Sequence, residues 1–273
     1  MNSFSLETQV TQLEQGRYSA NMDRSWWIIS GPNGGYVAAI ILRAICEEVN
    51  EPSRAPRSLS LQFLRVPKEG LVEIEVVVER TGRTVSNLSA RMTQNGVLLV
   101  IAIAVLAEHR ESPLSFNELP GLPLLADGTV VPGAESIAEE DLDPDRDVPM
   151  RGHYEQRWVI GEHPFQPLPS GESLARTGGW LRPAGGEPID AIALTAMTDA
   201  WLPPIFSRVR EPLMVPTIDL TIHFRGLPKD PEAFCFVLFE SPLAQDGYLI
   251  EHGQIFDTDG RLLAESRQLA VVI

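Results

Sequence analysis

In the run AIALTAMTDAWLPP, Ala191 to Pro204, a single side chain is charged, that of Asp199. Burying a carboxylate among apolar neighbours is costly unless it is hydrogen-bonded or put to use. Asp199 is therefore either an acid exposed at a helix end that Pro203 and Pro204 stop, or a buried carboxylate that is hydrogen-bonded or functional. A second stretch with chemical potential is GPNGGYVAAIILRAICEE, Gly31 to Glu48, where a glycine loop turns into an apolar helix. The first N–H groups of a helix lack intrahelical partners. Asn33, Gly34 and Gly35 at this start could cap the helix, pack it closely, cradle a phosphate, or present amides to a reacting carbonyl. The phosphate reading is the weakest, because GPNGG matches neither the P-loop nor the dinucleotide fingerprint and no lysine follows it.

Strand parity can be read at two polar positions of the second half. Gln268, in the last apolar strand, shares parity with Leu262, Ala264, Ser266, Ala270 and Val272, the face we assign to the core. A buried glutamine needs partners, and an aspartate with a threonine can supply them. Thr217 in TIDLTIHF falls on the parity of Asp219, Thr221 and His223, opposite Ile218, Leu220, Ile222 and Phe224. It is either an ordinary outward threonine or one re-aimed inward by a bulge or strand start beside Pro216. Asp219 and His223 resemble an acid–base pair, but four strand residues hold them roughly 13 Å apart, too far for a dyad.

Composition narrows the classes that could use these groups. The chain has 273 residues, 44% of them hydrophobic, enough for one large domain or two smaller ones. Its net charge is −15, and Ala134 to Met150 holds seven acids against Arg146. That balance argues against nucleic acid and anionic membranes as partners. Neither a leader nor an apolar span of eighteen residues is legible, so no membrane insertion and a cytoplasmic location are expected. Cys46 and Cys235 lack any metal-ligand spacing with the five histidines, so no metal site is expected. The nearest approach to a serine-hydrolase elbow is GESLA around Ser173, a poor match.

The elements that would position these residues come from an internal repeat. LQFLRVPKEGLVEIEVVVER (Leu61 to Arg80) matches IHFRGLPKDPEAFCFVLFES (Ile222 to Ser241), with Phe224, Pro228 and Lys229 each 161 residues after Phe63, Pro67 and Lys68. Downstream, QNGVLL and TDGRLL are hairpin signals at an offset of 164. Each half thus reads as a long apolar helix, Tyr36 to Ile45 and Ala191 to Leu202, followed by strands and a hairpin. A helix apolar on all faces must be buried, most simply by a sheet curved around it. Two such sheets joined at their edges would set the two helices side by side. Between the copies, Glu108 to Met150 holds six prolines and the acidic cluster, and reads as a surface linker.

Taken together, GGYVAAIILRA, LQFLRVPKEG, GGWLRP, DAIALTAMTDAWLPP, TIDLTIHF and AESRQLAVV resemble, in order and spacing, the acyl-CoA thioesterase II family and its thioesterase-like relatives. The resemblance implies an α+β double hotdog, two curved antiparallel sheets each wrapped around a long buried central helix. The N-terminal hotdog would span 1–107, the linker 108–150 and the C-terminal hotdog 151–273. It implies hydrolysis of acyl-CoA to a carboxylic acid and CoA with no cofactor, by a catalytic aspartate, threonine and glutamine that fall on Asp199, Thr217 and Gln268. Asn33, Gly34 and Gly35 would then face the thioester oxygen. The two copies are complementary: the first helix keeps the glycine pair but has Arg43 and Ala44 where the second carries its acid, so one composite site would survive and its mirror image be lost. Arg65, Lys68, Arg225 and Lys229 in the repeated loop are candidates for the CoA phosphates, or are simply solvated. A non-catalytic protein that binds acyl groups or acyl-CoA is the alternative function, and a homodimer or larger assembly is expected.

Overall fold

The computed structural model describes residues 4–119, 121–126, 129–132, 134–135, 148–161, 174–209 and 213–273. The first half contributes β1 (Thr11–Glu14), β2 (Arg17–Met22), β3 (Ala55–Phe63), β4 (Gly70–Thr81), β5 (Val85–Gln94) and β6 (Val97–Ala107). The second contributes β7 (Ala134–Glu135), β8 (Tyr154–Ile160), β9 (Arg176–Pro183), β10 (Thr217–Phe224), β11 (Cys235–Gln245), β12 (Tyr248–Phe256) and β13 (Leu262–Val271). All pair antiparallel in one sheet of order β1-β2-β4-β5-β6-β3-β10-β13-β12-β11-β9-β8-β7. Where two sheets were expected, one continuous sheet runs through both halves, because β3 and β10 complete each other's edges.

That junction carries the repeat's symmetry. Thr221 pairs with Ser60, its own repeat equivalent, and the neighbouring pairs Leu61 with Leu220 and Leu59 with Ile222 exchange equivalents across it. A two-fold axis relating the copies therefore passes between Ser60 and Thr221, whose hydroxyls are 3.0 Å apart with Thr221 donating. The strand order on either side, 3-6-5-4 and 10-13-12-11, is the same order read outward from this axis.

Strand alternation sends one face inward: Leu59, Leu61, Leu220 and Ile222 are at most 1% exposed and join the main core. Against that face lies α2 (Gly34–Val49), buried along its apolar length and closed at its C-terminus by Asn50 in the left-handed region, φ 43°. The expected partner over Ala191 to Leu202 is shorter: α3 (Ala191–Met197) ends at Met197. Thr195 and Thr198 turn their hydroxyls back onto the carbonyls of Ala191 and Thr195, at 2.8 and 2.7 Å. The amides of Asp199 and Ala200 then bond only three residues back, to Ala196 and Met197. Side-chain competition for carbonyls and the prolines beyond it end the helix, so Asp199 stands in the tight turn just past α3 rather than within it. A short N-terminal helix, α1 (Phe4–Glu7), lies at the start of the described chain. Most of the acidic cluster, together with Ser173 and His163, lies outside the described residues.

Candidate active site

The glycine loop and the turn after α3 meet. Asn33 is the N-cap of α2: its Oδ1 accepts from the Tyr36 amide at 2.9 Å. Its Nδ2 donates both to the Asp199 carbonyl at 2.7 Å and to Asp199 Oδ2 at 2.9 Å. The Gly35 amide donates to the same Oδ2 at 3.0 Å. Contact this close requires glycine, since a Cβ on Gly35 would run into the Ala196 carbonyl and stand 3.0 Å from the Asp199 Cβ.

On the other side of the carboxylate, Gln268 Nε2 donates to Asp199 Oδ1 at 3.0 Å, and Thr217 Oγ1 donates to Gln268 Oε1 at 2.8 Å. The reverse amide orientation would set the Gln268 oxygen against a carboxylate, so the acid itself selects this one. Gln268 faces inward as its parity predicts, 4% exposed. Thr217 reaches the same face because the β10–β13 register shifts between Thr217 and Asp219, which is the bulge that its parity requires.

Asp199 keeps part of its surface open, yet desolvation raises its pKa above the usual carboxylate range. The hydrogen bonds from Gln268, Gly35, Gly34 and Asn33 pull the other way. Its two oxygens are unequal: Asn33 and the Gly35 amide converge on Oδ2, while Gln268 donates to Oδ1. Oδ1 thus retains acceptor capacity, and Thr217, having spent its proton on Gln268, retains acceptor capacity on Oγ1. This pairing suits one small donor such as water.

Two residues not singled out from the sequence belong to the neighbourhood. Glu251 pairs with Gln268 across β12 and β13, is 7% exposed, and its Oε1 lies 3.4 Å from Gln268 Nε2. Tyr154 is 8% exposed, its hydroxyl has no hydrogen-bond partner among the described residues, and burial together with the Asp199 charge raises its pKa.

The family model described as the acyl-CoA thioesterase C-terminal domain matches residues 133–272, and that of the N-terminal domain matches residues 23–107. The chain belongs to the acyl-CoA thioesterase family. It is similar to an uncharacterized protein of Mycobacterium tuberculosis, 29% identical over 280 residues that cover 93% of this chain and 90% of that one. Among solved structures it is similar to a conserved protein of unknown function with a hot dog fold from Alicyclobacillus acidocaldarius, at 25% identity and TM-score 0.82, covering 100% and 98% of the two chains. In fold it also matches an acyl-CoA thioesterase II from Mycobacterium marinum, at 19% identity and TM-score 0.71, covering 99% and 98%.

Several expectations for this thioesterase-family chain change in detail. Asn33 is fully buried, and both ends of its amide are engaged within the protein, so it holds Asp199 rather than a ligand. The Gly35 amide is likewise turned onto Asp199, not left open for a carbonyl, whereas the Gly34 amide, which also acts on Asp199, stays partly exposed beside the Phe63 ring. Arg225 pairs with Glu265 at 3.8 Å and Lys229 with Asp259 at 2.5 Å, which gives both cations local partners. Their loop is tied to the start of α3, where the Ile189 amide donates to the Pro231 carbonyl at 2.7 Å. Arg65 and Lys68 are exposed in the equivalent loop that follows Phe63, whose ring lies against Gly34, and Arg65 Nη1 donates to the Leu98 carbonyl at 3.0 Å. Arg43, at the position corresponding to the acid, donates to Thr8 Oγ1 at 2.8 Å, and a cation there cannot act as a base. No group of three or more His, Cys, Asp or Glu able to hold a metal occurs among the described residues, and no described helix is long and apolar enough to cross a membrane.

Proposed function

We propose that the chain hydrolyses acyl-CoA thioesters, with Asp199 as general base. The observation that carries this reading is the convergence of two acceptors, Asp199 Oδ1 and Thr217 Oγ1, that the Gln268 amide links at 3.0 and 2.8 Å. A water bound between them gives its proton to Oδ1 as its oxygen attacks the thioester carbon, and the carbonyl electron pair moves onto oxygen. Collapse of the tetrahedral adduct expels the CoA thiolate, which takes the proton back from Asp199 and leaves the carboxylic acid. Because the positive end of α2 faces the reacting centre, negative charge that leaves Asp199 for the oxyanion stays near the same helix terminus. The Tyr154 hydroxyl and the partly exposed Gly34 amide, which would turn from Asp199 to do so, are the donors assigned to the oxyanion. Arg65 and Lys68 are the cations assigned to the CoA phosphates, a contact that added salt should weaken.

The deciding experiment is thiol release from a panel of acyl-CoAs, from short to long and aromatic, with acyl-carrier-protein thioesters alongside. Turnover of one class, lost on replacing Asp199, supports the reading. No turnover of any thioester would return the chain to the non-catalytic, acyl-binding alternative.

Two substitutions probe the assigned roles. Thr217→Val should lower kcat by about 10- to 100-fold, with Thr217→Ser close to wild type, because the variant removes an acceptor for water and leaves the Gln268 oxygen unpaired. Equal kcat for the valine and serine variants would remove Thr217 from the mechanism. Tyr154→Phe should cost about 10²-fold in kcat, as loss of one oxyanion donor does, while thermal unfolding shows stability unchanged or raised, since the hydroxyl has no hydrogen bond to lose among the described residues. Unchanged kcat in the phenylalanine variant would assign the oxyanion to Gly34 alone.

A further inference from the structure

Gln268 is shared. Of the two hydrogens on its amide nitrogen, one serves Asp199 Oδ1 at 3.0 Å and the other points toward Glu251 Oε1 at 3.4 Å. Two carboxyl groups thus flank one neutral amide, in a place where both are desolvated. Glu251 is an outlier on its strand: Leu249, Gly253 and Ile255 on the same face of β12 are apolar, and the acid is nevertheless 7% exposed.

The groups around Glu251 come from four elements. Gln268 faces it from β13, and Asp199 from the turn after α3. From β11 comes Ser241, in the register shift between Glu240 and Leu243, with a buried hydroxyl that has no partner among the described residues. Ile205, in the turn Pro204–Ser207, packs beside Leu249. None of these is a cation, and the one charged group among them is another acid. Two anions on one amide in a desolvated site repel, so the site favours one proton held between them.

We propose that Glu251 is a positioning residue of this site, a neutral carboxyl that accepts the second N–H of Gln268 and so leaves the first on Asp199, and whose ionisation draws the amide away from the base. The inference rests on the hydrolase reading for its catalytic part. While Glu251 holds its proton, Asp199 is the stronger acceptor, consistent with the shorter of the two contacts. Once Glu251 ionises, two carboxylates compete for one amide, and the line from Thr217 through Gln268 to Asp199 loses its orientation. Burial, reinforced by the Asp199 charge, pushes the Glu251 carboxyl up to about 8. The switch from ordered to disordered base would therefore fall on the alkaline side of neutrality.

The test compares wild type with Glu251→Gln, which keeps an acceptor for Gln268 but cannot ionise, and with Glu251→Leu as a second non-ionisable variant. Two readouts are used. In thermal melts, a carboxyl whose folded pKa exceeds its unfolded value near 4.5 stabilises the fold fully at low pH, and that contribution is lost as pH rises towards about 8. Wild type should lose this contribution across the window and the variants should not. In kcat/KM profiles, wild type should fall on the alkaline side near pH 8, and that limb should be absent from both variants. Melts with the same pH dependence in wild type and variants would overturn the proton's placement. Melts that differ while the alkaline limb persists in the variants would overturn the positioning role and leave the hydrolase reading intact. Absence of any thioester turnover in wild type would sink the hydrolase reading and the catalytic part with it, while the melts still decide where the proton sits.

Discussion

Asp199→Asn is expected to lower kcat for thioester hydrolysis by about 10²- to 10⁴-fold, the range for loss of a general base, with the fold retained. The retention follows from the partners of the side chain. Asparagine keeps one acceptor oxygen, which can stay where Oδ2 receives Asn33 and the Gly35 amide. Its nitrogen would then face Gln268, and Gln268 can answer by turning its amide over. The turned glutamine oxygen would accept from the substituted side chain, and the glutamine nitrogen would donate to Thr217 Oγ1, a hydroxyl that accepts as readily as it donates. Glu251, carrying a proton, could donate to the turned oxygen as well. The cost to stability should also depend on pH. Desolvation raises the folded pKa of Asp199, so wild type loses stability as pH rises through it, and an asparagine has no such loss. Relative to wild type, the variant should therefore fare better in thermal melts as pH rises above the ordinary carboxylate range. Turnover within tenfold of wild type would sink the assignment of Asp199 as base.

The reasons that some of this site is legible in the chain and some is not are local. Gln268 can be read because a strand has period two and its neighbours of the same parity are small or apolar; its 4% exposure follows. Asp199 can be read as an isolated charge, though its helix is overestimated by a turn because hydroxyl back-bonding by Thr195 and Thr198 competes with the ladder. Thr217 lies beyond parity, since a register shift of one residue reverses the face on which a side chain falls. The glycine pair signals close approach, but what approaches is a carboxylate from a segment 164 residues away, and only the three-dimensional crossing of α2 and α3 reveals that the amide is already spent on it. Glu251 carries a signal of the kind that exposes Asp199, a lone acid on the apolar parity of YLIEHGQIF. The likeness between Ser60 and Thr221, two modest polar residues of the repeat, becomes meaningful once they are seen paired on the axis.

Gly35→Ala is expected to cost both stability and activity, and the contrast with Gly34→Ala separates packing from chemistry. At position 35 the new Cβ would run into the Ala196 carbonyl, a backbone atom with no rotamer through which to yield, and would stand 3.0 Å from the Asp199 Cβ. Overpacking of a tight crossing costs about 1–3 kcal/mol, and α2 can relieve the clash only by moving away from the turn after α3. That movement lengthens the Gly35–Asp199 hydrogen bond and shifts the base, and a displacement of about 1 Å at a reacting centre can cost about 10²-fold in rate. At position 34 the Cβ would instead meet Asp199 Oδ2 at 3.0 Å and the Phe63 ring at 3.3 Å, both ends of side chains that can shift by tenths of an ångström. Gly34→Ala should accordingly melt within a few degrees of wild type and show its effect in kcat. Thermal melts and thiol-release kinetics on the two variants give the comparison. Similar melting losses at 34 and 35 would mean that the helix crossing, not the Gly35 contact, has slack to spare, and the hold of α2 on the base would have to rest on Asn33 alone.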